Sequence, residues 1–95
     1  MWMTSRNGTM YALDVKPSVD KAFRKLTRSQ LVVVEKKLLR IREKPTGYKW
    51  LRNPLHSFNR VHIGDFVLIL SVDHVEEVVT AFHYAHHDTV YLWRP

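Results

Sequence analysis

The spacing of apolar residues changes character between Lys44 and Pro54, and that change restricts the fold more than any other feature of the chain. Before it, the apolar positions recur at helical intervals. Val19, Phe23 and Leu26 fall at i, i+4 and i+7. Leu31, Val34, Leu38 and Ile41 lie within roughly 80° of one another at about 100° per residue. Pro17 suits a helix N-terminus, where the missing N–H costs little. Thr27 or Ser29 can cap a second helix that runs to about Glu43 and stops at Pro45 and Gly47.

After Pro54 the apolar positions alternate. Phe58 to Ile63, Phe66 to Val72 and Glu77 to Tyr84 read as strands joined by turns at Gly64-Asp65 and Asp73-His74. Turns this short make the three strands an antiparallel meander. Met10 to Lys16 alternates as well, so the order is β-α-α-β-β-β. That order implies an α+β fold, a twisted antiparallel sheet with two N-terminal helices on one face. Asp88 to Trp93 is rich in apolar and aromatic residues and is expected to pack back as a short strand or helical turn. Residues 1–9 read as a flexible leader and residues 10–95 as a single domain, because 95 residues suffice for one core and fall short of two.

Composition narrows the functional classes. There is no cysteine, which removes disulfide frameworks, thiolate nucleophiles and Cys-ligated zinc. The longest apolar run is five residues, Phe66 to Leu70, far short of a membrane span. A cytoplasmic protein is expected. Its net charge of +6 favours polyanions or acidic proteins. Lys16 to Arg60 holds thirteen basic residues against three acidic, a net of +10, whereas Val61 onward is net −4. Lys36, Lys37 and Arg40 fall on the outer side of the second helix, and the density of charge there exceeds what solubility requires. Lys49, Trp50 and Arg52 interleave cations with an aromatic ring, a pattern suited to phosphate contact and base stacking. These six are the candidate RNA-binding residues. Val32 and Leu39 lie together outside the main stripe of the second helix and offer a second apolar patch to another chain.

All six histidines lie in the second half of the chain. His62 lies between Val61 and Ile63 and so faces away from them; Arg60 shares its side by alternation. His86 and His87 precede Asp88, and Tyr91 follows His87 by four positions. Taken with His83, this tail matches no standard zinc spacing, and neither metal nor cofactor is expected.

The run Arg60-Val61-His62-Ile63-Gly64-Asp65-Phe66-Val67-Leu68-Ile69-Leu70 and the ending His86-His87-Asp88-Thr89-Val90-Tyr91, in this order of elements, resemble the RelE/ParE superfamily of toxin–antitoxin toxins. The resemblance spans roughly Met10 to Tyr91. That family tends to place arginines where His62 and Val67 stand here, a tyrosine in place of Leu70, and His-Arg in place of His86-His87. A histidine-rich branch, the YafQ-like toxins, is similar at His62-Ile63, at Asp65-Phe66-Val67-Leu68-Ile69 and at His87 with Tyr91. It too carries an apolar residue where Val67 stands.

The resemblance implies a metal-independent endoribonuclease that cuts mRNA on the ribosome and is silenced by a cognate antitoxin. Its site residues would be His62 and His87 as the proton-transfer pair, His86 and Tyr91 as orienting or substituting groups, and Arg60 with Lys49 on the phosphate. Such chemistry needs a base for the ribose 2′-OH, cations on the phosphorane and a proton for the 5′-oxygen. Imidazole, with an ordinary pKa near 6.5, serves both proton transfers. Two alternatives remain open at this point. One is a ParE-like gyrase inhibitor, since the same fold hosts both activities; the other is a decayed relative that only binds antitoxin or RNA.

Overall fold

A computed structural model describes residues 10–46, 49–50 and 58–94, with 49–50 described through their backbone. The leader expected over residues 1–9 lies outside the described residues, as do Arg52 and His56. Strand β1 (Ala12–Val15) leads into helices α1 (Pro17–Arg24) and α2 (Arg28–Glu43). Strands β2 (Lys49–Trp50), β3 (Asn59–Ile63), β4 (Phe66–Asp73) and β5 (Val78–His86) follow, and a single 3₁₀ turn (Val90–Leu92) ends the fold. The change of period at Lys44 to Pro54 therefore marks the passage from helices to strands.

Local chemistry explains the boundaries. Pro17 stands in the first turn of α1. Thr27 accepts the Gln30 N–H at 3.2 Å while the Gln30 side chain accepts the Thr27 N–H at 2.9 Å, so two orphan donors at the start of α2 are satisfied reciprocally. Gly64 turns the β3–β4 hairpin with φ +62, a conformation open to glycine at little cost. In the β4–β5 connection the Asp73 carboxylate accepts the N–H groups of Val75 and Glu76 at 2.9 and 3.0 Å, and Glu77 adopts φ +58. That connection is longer than the two-residue turn expected at Asp73-His74.

The sheet order is β1-β5-β4-β3-β2. β3 to β5 pair antiparallel, as expected, and β2 adds antiparallel to β3 where a loop was expected, but β1 pairs parallel to β5, which makes the sheet mixed. Two intervening helices supply the crossover that a parallel pairing requires, and the sequence pattern of a single strand does not reveal its direction. β2 is too short to register as a strand by alternation.

The two faces of the sheet are filled unequally. On one face Val34, Leu38 and Ile41 of α2 and Val19 of α1 pack on Leu13, Val61, Ile63, Leu68, Leu70, Val79 and Ala81. Burying each such Leu or Ile contributes about 1.5–3 kcal/mol. On the opposite face Val67, Ile69 and Val90 form a separate buried cluster, flanked by Phe58, Ala85 and Trp93. Phe82 has no partner across from it, because Ile69 pairs with His83 while Leu70 pairs with Ala81. The bulge keeps Ala81 and Val79 under the helices while His83 and Ala85 stay on the other face.

Candidate functional site

The face away from the helices carries Arg60 and His62, and strand register sets what lies beside them. Lys49 pairs with Arg60, Arg60 with Ile69 and Ile69 with His83, so these four occupy one row across the sheet. The neighbouring row is His62, Val67 and Ala85. Directly paired residues project to the same side of a sheet. Arg60 and His62 therefore share the face that alternation predicted for them.

The C-terminal segment closes over part of this face. Val90 is fully buried against Val67 and Ile69, and this anchor brings Tyr91 to Arg60. Arg60 donates from Nη1 to the Tyr91 hydroxyl at 2.8 Å, and its guanidinium carbon lies 5.8 Å from the centre of the Tyr91 ring. The hydroxyl fixes the direction of the guanidinium and the ring face supports its charge. Arg94 donates to the carbonyls of Tyr91 and Trp93, which ties down the end of the segment.

His86, His87 and Asp88 form a second group where β5 ends. The His87 N–H donates to the Asp65 carbonyl at 3.0 Å, which ties this end to the β3–β4 turn. The Asp88 N–H donates to His86 Nδ1 at 3.2 Å. His87 Nδ1 stands 3.0 Å from one carboxylate oxygen of Asp88, and the two imidazole rings are 4.3 Å apart. His86 pairs in register with Phe66 and meets its ring edge at 5.6 Å, so it borders the helix-backed side of the strand end. His62 is exposed and makes no hydrogen bond, ion pair or ring contact among the described residues.

Register thus joins Lys49 to Arg60, a hydrogen bond joins Arg60 to Tyr91, and ring contact joins His86 to His87. The other cationic candidates lie elsewhere. Lys36, Lys37 and Arg40 stand on the outer side of α2, where they line a shallow groove of about 350 Å³ with Val33, Leu39 and Glu43. The sheet separates them from Arg60. Another basic residue counted in the net charge, Arg42, is buried and donates from Nε to the Tyr11 carbonyl at 2.7 Å, tying α2 to the start of β1. Trp50 pairs with Asn59, one register position from Lys49. Arg52 lies outside the described residues.

Sequence reasoning missed two members of the polar face. His83 stacks on the Trp93 ring at 5.9 Å, and burial lowers its pKa from the ordinary histidine range, which favours the neutral ring. The spacing 83, 85, 87 would have placed it on the same side as His87. Asp88 was noted only in connection with metal spacing, because a sequence does not show which side chains fold back on their neighbours.

A groove of about 260 Å³ between the start of α2 and the Gly64 turn, lined by residues such as Gln30, Val33 and Phe66, does not touch Arg60, His62, His87 or Tyr91. His62, His87 and Tyr91 are exposed and Arg60 is half-buried. Among the described residues no helix is long and apolar enough to cross a membrane.

No family model matches the chain. Among curated proteins it is similar to one named "Putative toxin RelE4" from Methanocaldococcus jannaschii, with 40% identity over 86 residues, covering 86% of this chain and 92% of that protein. An uncharacterised protein from Methanosarcina mazei is 38% identical over 86 residues, covering 86% of this chain and all of that one. Among solved structures the fold matches the RelBE2 toxin–antitoxin complex of Mycobacterium tuberculosis, with TM-score 0.73 and 19% identity over 82% of this chain and 99% of that one. A mutant of the E. coli toxin RelE in the free state matches with TM-score 0.72 and 21% identity over 87% of this chain and 92% of that one. The archaeal RelE–RelB complex from Pyrococcus horikoshii gives 0.67 and 15% identity over 81% of this chain and 94% of that one.

Proposed function

The chain belongs to the RelE family of toxins, within the RelE/ParE superfamily, and from that premise we propose that it is the toxin of a type II toxin–antitoxin pair. On this reading it is a cytoplasmic endoribonuclease that cleaves mRNA on the ribosome and so blocks translation. The observation that carries it is the Arg60–Tyr91 contact on the sheet face away from the helices, with Lys49 in register beside Arg60 and His87 at the end of the same sheet.

The reaction this set can perform is a transesterification. The ribose O2′ loses its proton to an imidazole and forms a bond to the adjacent phosphorus. The P–O5′ bond then breaks, and a second imidazolium protonates O5′, leaving a 2′,3′-cyclic phosphate and a 5′-hydroxyl. His62 and His87 take the two proton transfers. Arg60, aimed by the Tyr91 hydroxyl, and Lys49 balance the charge that grows on the phosphorane oxygens. His86 lies against His87 and orients it or substitutes for it, and the Tyr91 ring offers a stacking surface to a base. Lys36, Lys37 and Arg40, on the far layer, serve a separate contact with ribosomal RNA whose strength falls steeply with salt.

The partner expected for such a toxin is a cognate antitoxin of acidic character. A short acidic reading frame beside the gene is the first check. One observation favours a binding-only relative: Val67 and Leu70, at two positions where the family resemblance leads one to expect Arg and Tyr, are fully buried in the two cores. Primer extension on a translated message after induction separates the readings. Codon-spaced cuts are expected. Double-strand DNA breaks without mRNA cuts would indicate a gyrase poison, and growth arrest with neither would indicate a protein that acts by binding alone.

A further inference from the structure

We propose that His86, His87 and Asp88 form a binding site for a divalent transition-metal ion of the Zn²⁺ class, and that the bound ion switches off the chemistry assigned to His87. The second half of this proposal rests on the nuclease reading; the first half does not.

Each of the three residues offers a donor atom, and these atoms lie within 4.8 Å of one another. The separations are close to those a zinc ion imposes. His86 Nδ1 is 3.4 Å from Asp88 Oδ2, and His87 Nδ1 is 3.0 Å from Asp88 Oδ1. Tetrahedral zinc with ligands at about 2.0–2.2 Å sets neighbouring donors about 3.3 Å apart. Two donor pairs thus stand near that spacing, each through a different oxygen of Asp88, and rotation of these side chains would close the three donors, already within 4.8 Å, on one ion.

The chain holds this arrangement with its backbone. Asp65 accepts the His87 N–H and His86 accepts the Thr89 N–H, each at 3.0 Å, so a tight turn at the strand end brings the three donor groups together. The ion would displace the 3.2 Å hydrogen bond from the Asp88 N–H to His86 Nδ1, and a fourth position would stay open to water. Two imidazoles and one carboxylate select a borderline ion over Mg²⁺ or Ca²⁺, which prefer all-oxygen shells. With Nδ1 on the ion the ring's remaining proton sits on Nε2, so the ring cannot take up a second proton and become the imidazolium that the transfer assigned to His87 requires.

The test is a titration of the full chain with Zn²⁺ alone in competition with a chromophoric chelator, alongside RNA cleavage measured over the same zinc range. One zinc per chain is expected, with affinity at least about tenfold weaker in His87→Ala and in Asp88→Asn and unchanged in His74→Ala. His74 lies in the β4–β5 turn at the opposite end of the strands and serves as the control. Wild-type cleavage should fall in proportion to zinc occupancy and return with a chelator. Absence of stoichiometric binding, or binding that both ligand variants leave intact, overturns the site. Stoichiometric binding with undiminished cleavage overturns the switch. A chain that binds zinc but cuts no RNA when metal-free contradicts the nuclease reading and leaves the site standing.

Discussion

The two faces of the sheet use similar apolar residues for different ends. Beneath the helices, eleven buried residues from both helices and four strands form one continuous core. On the other face only Val67, Ile69 and Val90 are buried, with a ring of aromatic side chains around them and polar groups at the margin. The helix-backed face holds the molecule together. The opposite face holds a seven-residue tail, Asp88 to Arg94, in place, and through the tail it positions Tyr91 on Arg60. A chain this short can commit one side of its sheet to stability and leave the other to chemistry.

The contrast can be broken by substitution. Leu68→Ala empties a fully buried site in the main core and should cost about 2–5 kcal/mol in chemical denaturation. Arg60→Ala should do the reverse, lowering RNA cleavage about 10²-fold by removing the phosphorane cation while leaving the denaturation midpoint nearly unchanged. Val90→Ala tests the link between the faces. It removes two methyl groups from the small cluster and should cost roughly 1–3 kcal/mol, and cleavage should fall as well because Tyr91 loses its anchor. If cleavage survives Val90→Ala while stability drops, the tail does not position the site.

The smallest effect expected is one of pH. Burial lowers the His83 pKa in the folded chain, so the unfolded chain takes up the proton first as pH falls through about 6.5. Stability contributed by the neutral ring is full above that range and declines below it. Wild-type protein should lose some urea resistance between about pH 7.5 and about pH 5.5, and His83→Asn should lose less.

Much of this division was legible in the sequence. Val19, Val34, Leu38 and Ile41 stood at helical spacing and all four are buried. The placement of Arg60 and His62 on one strand side followed from alternation alone. The parallel pairing of β1 with β5 did not, because strand direction is set by the crossover and not by the strand. The charge count did not reveal placement: the sheet separates Lys36, Lys37 and Arg40 from Arg60, and Arg42 is buried. The convergence of His86 and His87 on Asp88 was equally hidden, since it depends on the turn that Asp65 and Thr89 hold closed.

The central claim is that the chemistry resides on the face opposite the helices and runs through His87. Cleavage of a ribosome-bound message by wild-type and His87→Ala protein, with thermal unfolding measured on the same samples, tests it most directly. The account predicts matched unfolding temperatures, a 2′,3′-cyclic phosphate on the wild-type product, and cleavage by the variant at least about 10²-fold slower. Undiminished cleavage by a folded His87→Ala protein would contradict it.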